Sequence, residues 1–258
     1  MADKIRISRR RNYREQLRLY LNLTKRLNAK LKKLFRQASR KASTKYAQGM
    51  FVDDIFMTEY ADDLYKILAN QYRTVITQSA KRITEQRFKK ADDEVNTIIE
   101  TYIITHTATE VTRISETTKK LLSATILKGI RDGDSIEDIS KSIRKSNAFS
   151  ENRATLIART ETHGAMNAGN MAITKTLALS EPVKEWNSAM DDRSRTWHKT
   201  MDGDVKPIDE PFIVTTPTKY GLIDYRMQYT GDSNGGGANV CNCRCFTSYY
   251  DKDDEVIA

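Results

Sequence analysis

The first proline of the chain is Pro182, and only Gly49, Gly129, Gly133, Gly164 and Gly169 precede it. Proline and glycine are the residues that interrupt helices, so nothing in this long stretch forces the helices to be short. The apolar residues keep a helical spacing throughout. Tyr13, Leu17, Tyr20, Thr24, Leu27, Leu31 and Leu34 advance in alternating steps of four and three, which places them on one stripe. Beyond "AQGM" around Gly49, a second helical set follows through Phe51, Ile55, Leu64, Ile67, Leu68, Val75, Ile76 and Ile83. After "KKADDE" a third runs from Val95 through Ile98, Ile99, Val111, Ile114 and Leu122 to Ile126.

Local signals predict where these helices stop and restart. Gly133 suits a helix terminus, and Ser135 with Asp138 three residues later reads as an N-terminal capping pair ahead of Ile136, Ile139 and Ile143. Ser150 is placed to cap the helix "ENRATLIARTETHGAMNAGN", whose alanines allow close packing. From Glu181 the character changes. All four prolines, both tryptophans and all three cysteines lie beyond it, among short alternating runs such as "EPVKEW", "PFIVT" and "CRCFTSYY" that predict strands. "GDSNGGGANV" reads as a flexible loop. The expected fold is therefore α+β: a mostly helical N-terminal body with long helices, then a small, loop-rich C-terminal module with short strands. The expected divisions are a basic amphipathic helical arm (1–48), a helical body (49–180), the α+β module (181–250) and an acidic tail (251–258).

Charge separates the arm from the rest. Residues 1–45 hold sixteen Lys and Arg against Asp3 and Glu15, a net +14 in a chain whose total is +9. The remainder is mildly acidic. So few acids leave few ion pairs within the helix, and self-repulsion of this kind is relieved by an anionic partner. Arg9, Arg10, Arg11, Arg14, Arg18, Lys25, Arg26, Lys32 and Lys33 are the candidate contacts to DNA phosphates or an acidic protein surface. A helix packed on its own domain accounts for the stripe about as well. No apolar run approaches the ~20 residues of a membrane span. The basic start lacks the apolar stretch of a secretory signal, so a cytosolic site of synthesis is expected.

"WNSAMDDRSRTWHKTMDG" concentrates Asp191, Asp192, Arg195 and His198 upstream of Cys241, Cys243 and Cys245. Three thiols so close together cannot staple distant segments as a disulfide framework. Adjacent Asp191 and Asp192 point apart in a helix or a strand, a poor arrangement for two-carboxylate hydrolysis. The bland reading is a polar framework: Asp192 accepts from backbone N–H groups or Arg195, and His198 donates to a carbonyl. Metal is the sharper alternative, with zinc held by His198, Cys241, Cys243 and Cys245, although Cys-x-Cys departs from the usual Cys-x-x-Cys spacing. Small buried cysteines are also common core residues, and that reading is preferred, with no cofactor required. A metal-dependent nuclease or other hydrolase using His198, Asp192 and the cysteines remains the competing functional class.

The ordered set "LIARTETHGAMNAGN", Trp186, "DDRSRTWHKTMDG" and "NCRC" resembles the phage Mu F-like head-morphogenesis family over roughly residues 130–250. The matching positions are Arg159, Thr160, Glu161, Trp186, Asp192, Arg195, His198, Gly203, Asn242, Cys243, Arg244 and Cys245. Cys241 falls outside the pattern. The resemblance implies a structural minor capsid protein made in the host cytoplasm and built into the virion. Its place there would be inside the capsid near the portal vertex. Its implied partners are the portal protein, major capsid or scaffold subunits and packaged double-stranded DNA, and no membrane. It implies no enzyme activity, and makes Arg159, Glu161, Trp186, Asp192, Arg195, His198, Asn242 and Arg244 structural. Some relatives carry toxin domains after this module; with eight residues following Tyr250, none is expected here.

Overall fold

The computed structural model describes residues 2–50, 54–87, 92–177 and 179–252, with side chains described from residue 11 onward except at 54–55, 84–87 and 92. The side chains of Arg9 and Arg10, Phe51, and most of the acidic tail therefore lie outside the described residues.

The helices are long, as the absence of proline predicts. α1 spans Ala2–Ala47, α2 Asp54–Arg87, α3 Asp92–Tyr102, α4 Ala108–Asp132, α5 Ile136–Lys145 and α6 Glu151–Thr176, with a π-helical turn at Ile103–Thr107 between α3 and α4. The predicted terminators act where expected. Gly133 follows α4 in the left-handed region at φ 75°, where a side chain would be strained. The Ser135 hydroxyl accepts from the Asp138 N–H at 3.1 Å and donates to the Asp138 carboxylate at 2.6 Å. Ser150 Oγ accepts from the Arg153 N–H at 3.2 Å.

Packing divides the chain into two compact units, and the division does not follow chain order. One unit comprises residues 1–24, 72–101 and 159–258; the other comprises 25–71 and 102–158. The stripe on α1 lies in the core, where a helix packed on its own domain places it: Tyr20, Leu27, Leu31 and Leu34 are buried. Helical periodicity reports that a face is covered, but not what covers it.

In the all-helical unit, Phe35, Tyr60 and Phe149 form a ring cluster with centroids 6.1–6.4 Å apart. Arg153 crosses it, donating to Thr118 Oγ1 at 3.0 Å and to the carbonyls of Ala148 and Ile114 at 2.7 and 2.9 Å. Ser43 and Ser140 are both buried, and each hydroxyl donates to the other's carbonyl, at 3.0 and 2.8 Å.

The other unit holds all the strands among the described residues. β1 (Pro182–Asn187) lies between β2 (Val205–Pro207) and β5 (Phe246–Asp251) in an antiparallel sheet, and β3 (Phe212–Thr218) pairs with β4 (Gly221–Met227) as a hairpin. β3 alternates as a half-buried strand should, with Phe212, Val214 and Thr216 inward. β5 does not alternate; Phe246 through Tyr250 are all buried. Its outer face is roofed by α1 and α6. Tyr13, Tyr20 and His163 pack on the Phe246 ring at 5.5–5.9 Å, Gln16 donates to the Thr247 carbonyl at 3.4 Å, and Asn167 Oδ1 accepts from the Thr247 N–H at 3.1 Å. The glycine-rich segment expected to be a flexible loop is folded into a 3-10 turn at Ser233–Gly235 and the short helix α8 (Gly236–Val240). Asp232 is the reason: its carboxylate accepts from the N–H groups of Gln228 and Asn234 at 2.7 and 3.0 Å.

Candidate functional site: a histidine and cysteine framework

α7 (Thr196–Lys199) sets His198 into the interior opposite the segment leading into β5, and the ring meets two sulfurs there. His198 Nδ1 lies 3.5 Å from Cys245 Sγ and 3.7 Å from Cys243 Sγ, and all three groups are buried. The potential ligand atoms lie within 4.8 Å of one another, and Cys241 does not join the cluster. The thiols influence each other's acidity. Contact with Cys245 and burial push the Cys243 thiol up, whereas the hydrogen bond from Cys243, assisted by His198, holds Cys245 down. Trp186 closes the site edge-on to His198 at 5.2 Å and to Phe212 at 5.4 Å.

The other side of the imidazole fixes its proton. His198 Nε2 sits 3.1 Å from Asn239 Oδ1, to which the Trp197 indole N–H also donates at 2.8 Å. An indole N–H can only donate, so this Asn239 atom is oxygen; its Nδ2 donates to the Gly235 carbonyl at 2.9 Å, which can only accept. His198 Nε2 must therefore carry hydrogen. In the neutral ring, Nδ1 then turns its lone pair toward both sulfurs.

The loop bearing the cysteines is held from both sides. Arg195 donates to the Cys241 carbonyl at 2.6 Å, and Arg244 binds Asp191 through both terminal nitrogens, one contact at 2.5 Å. Arg244 is the main reason the Asp191 carboxyl is pulled down to about 2. Asn242 takes a left-handed φ of 57° that an asparagine tolerates, and its N–H donates to Thr160 Oγ1 at 3.4 Å. Beneath the loop, His163 Nε2 donates to the Cys245 carbonyl at 2.5 Å; burial lowers its pKa. Gly231, at φ 83°, lies so close that a Cβ would sit 2.3 Å from His163 Nδ1.

Several expectations need correction. Asp192 is exposed, and Asp191 performs the tethering expected of it. The two carboxylates are adjacent, and only Arg244, distant in sequence, decides between them. Cys241 is only partly buried and leaves the supposed four-ligand set with three members. Arg159 is exposed, contributing only its charge near Tyr20, whose phenol burial pushes up to about 12. Glu161 accepts from the Tyr72 hydroxyl at 2.5 Å. Asn239 and His163 were not picked out for the framework; no spacing signal marks a lone asparagine or helical histidine. A surface depression of about 540 Å³ lined by Asp209, Asp224, Arg226 and Asn234, among others, contains none of the cluster residues. Asp192 is exposed and does not join the buried His198, Cys243 and Cys245 group with which the hydrolase reading would combine it.

On α1, Arg11, Arg14, Arg18, Lys25, Arg26 and Lys33 are exposed. Arg11 pairs with Glu15 at 3.0 Å, and half-buried Lys32 with Glu151 at 2.6 Å. No helix among the described residues is long and apolar enough to cross a membrane.

The family model for Phage Mu protein F like protein matches residues 119–248. A curated relative, Minor head protein GP7 of Bacillus phage SPP1, is 30% identical over 132 residues, covering 50% of this chain and 39% of that protein. The match thus spans well under half of the relative's length. No solved structure matches.

Proposed function

The chain belongs to the phage Mu protein F-like family, and from that premise we propose that it is a structural minor head protein of a tailed bacteriophage. It sits in the virion near the portal vertex and acts in head assembly and in the fate of packaged DNA. The observation carrying this reading is that the matched residues 119–248 include the whole histidine and cysteine framework, at whose buried centre His198 contacts Asn239, Cys243 and Cys245. A fixed internal framework suits a part that docks, on portal and on capsid or scaffold subunits, rather than one that turns over a substrate. Mass spectrometry of purified particles tests this: a few copies per particle are expected, and absence from DNA-filled and empty particles alike overturns it.

The exposed bases of α1 precede the matched residues and supply the DNA contact. Each neutralised phosphate releases counterion, so the affinity of the purified chain for duplex DNA should fall steeply with salt. Arg11→Gln, Arg14→Gln and Arg18→Gln together should weaken binding equally across DNA sequences and flatten the salt slope by up to ~3. An unchanged slope would move the basic face to an acidic protein partner.

A further inference from the structure

We propose that His198 Nδ1, Cys243 Sγ and Cys245 Sγ form a binding site for one zinc-class metal ion. A tetrahedral zinc with Zn–S about 2.3 Å and Zn–N about 2.0–2.1 Å has N···S edges of roughly 3.5–3.6 Å. The two observed distances from Nδ1, 3.5 and 3.7 Å, are close to such edges. A single nitrogen lone pair accepts one S–H well, yet two sulfurs approach it almost equally. One metal ion satisfies all three groups together.

The surroundings supply what such a site requires. Metal-bound histidines commonly give their second ring nitrogen to a fixed acceptor, which selects the ligating nitrogen. Asn239 Oδ1 does this for His198 Nε2 at 3.1 Å, and is itself held by the Trp197 indole. The loop carrying the thiols is independently pinned through Arg195 and Arg244. On loading, each thiol releases its proton to solvent, and two thiolates neutralise the divalent ion. Burying the assembly then strands no net charge. Ser188 Oγ, 3.8 Å from Cys245 Sγ, or a water completes the coordination. Cys241 has no part in it, which sets this site apart from a four-ligand zinc knuckle.

The test uses the full chain purified without added metal, followed by elemental analysis, cobalt exchange and melting with and without chelator. About one zinc per chain is expected, with thiolate-to-cobalt charge-transfer absorption after exchange and a lower melting temperature in chelator. Cys241→Ser should keep the metal and the absorption; Cys243→Ser and Cys245→Ser should lose both. Metal retained equally by Cys243→Ser, or lost equally from Cys241→Ser, overturns the assignment. If the cysteine variants fail to fold, the unmodified chain decides: no thiolate–cobalt absorption under saturating cobalt refutes the site.

Discussion

Asn239→Ala probes the centre of the framework in a single step. The Asn239 amide is fully buried; Oδ1 receives the Trp197 indole and His198 Nε2, while Nδ2 serves the Gly235 carbonyl and Thr216 Oγ1 at 2.8 Å. Removing it strands one fully buried group, His198 Nε2; the Gly235 carbonyl, at the N-cap of α8, keeps its helical partner in the backbone N–H of residue 239. Trp197 is only half-buried and can recruit water. At about 1–3 kcal/mol for an unsatisfied buried group, that is the expected loss, before any cost of the small cavity. Against a total stability of ~5–15 kcal/mol, that is a large fraction. Urea denaturation in chelator-containing buffer isolates this network from metal binding. Asn234, exposed on the neighbouring turn, provides the control, with Asn234→Ala expected within about 0.5 kcal/mol of the parent. An Asn239→Ala loss below about 1 kcal/mol would mean that His198 Nε2 reaches solvent, which refutes a buried network at this point.

Gly231→Ala should be much more damaging than Gly49→Ala. Both glycines have left-handed φ, about 1–2 kcal/mol of strain for alanine, but only at Gly231 does the new Cβ strike a neighbour, His163 Nδ1 at 2.3 Å; equal melting temperatures would contradict this. Lys184 tests the sign of a pH effect. Its buried ammonium donates to the Gln228 carbonyl and side chain at 2.8 and 3.0 Å, and burial is the main reason its pKa falls from 10.5 to about 8. Between those values the unfolded chain keeps a proton that the folded chain has released, so this residue makes stability rise with pH above about 8. Denaturation at stepped pH should show that rise in the parent and not in Lys184→Met; parallel profiles would refute it.

Much of the architecture was legible because it depends on neighbours in sequence. The late first proline predicted long helices; Ser135 and Ser150 marked helix starts, and β1 begins at Pro182, where the composition changes. "PFIVT" and "CRCFTSYY" foretold β3 and β5. β4 was missed because its outward residues, including Leu222 and Ile223, leave no clean alternation. The site was half legible. His198, Cys243 and Cys245 stood out as chemically distinctive residue types, and they do meet. What brings them into order is Asn239, Asp191 and His163, ordinary residues whose roles arise from contacts across 41, 53 and 82 positions. No local pattern encodes contacts of that range.

The roof over β5 has a kinetic consequence. Gln16 and the Thr247 carbonyl that it covers are 231 residues apart, and Tyr13 reaches the Arg244 carbonyl across the same interval. During synthesis the apolar edge of the first helix must wait for a strand made near the end of the described chain. Closure across so wide an interval is slow, and the waiting surface is open to association with other chains. A fragment of residues 119–252 would keep every strand of the sheet but lack Tyr13, Gln16 and Tyr20, leaving Phe246 uncovered on that side. Expressed alone, such a piece would aggregate, while a separately supplied peptide of the first helix would rescue it in trans.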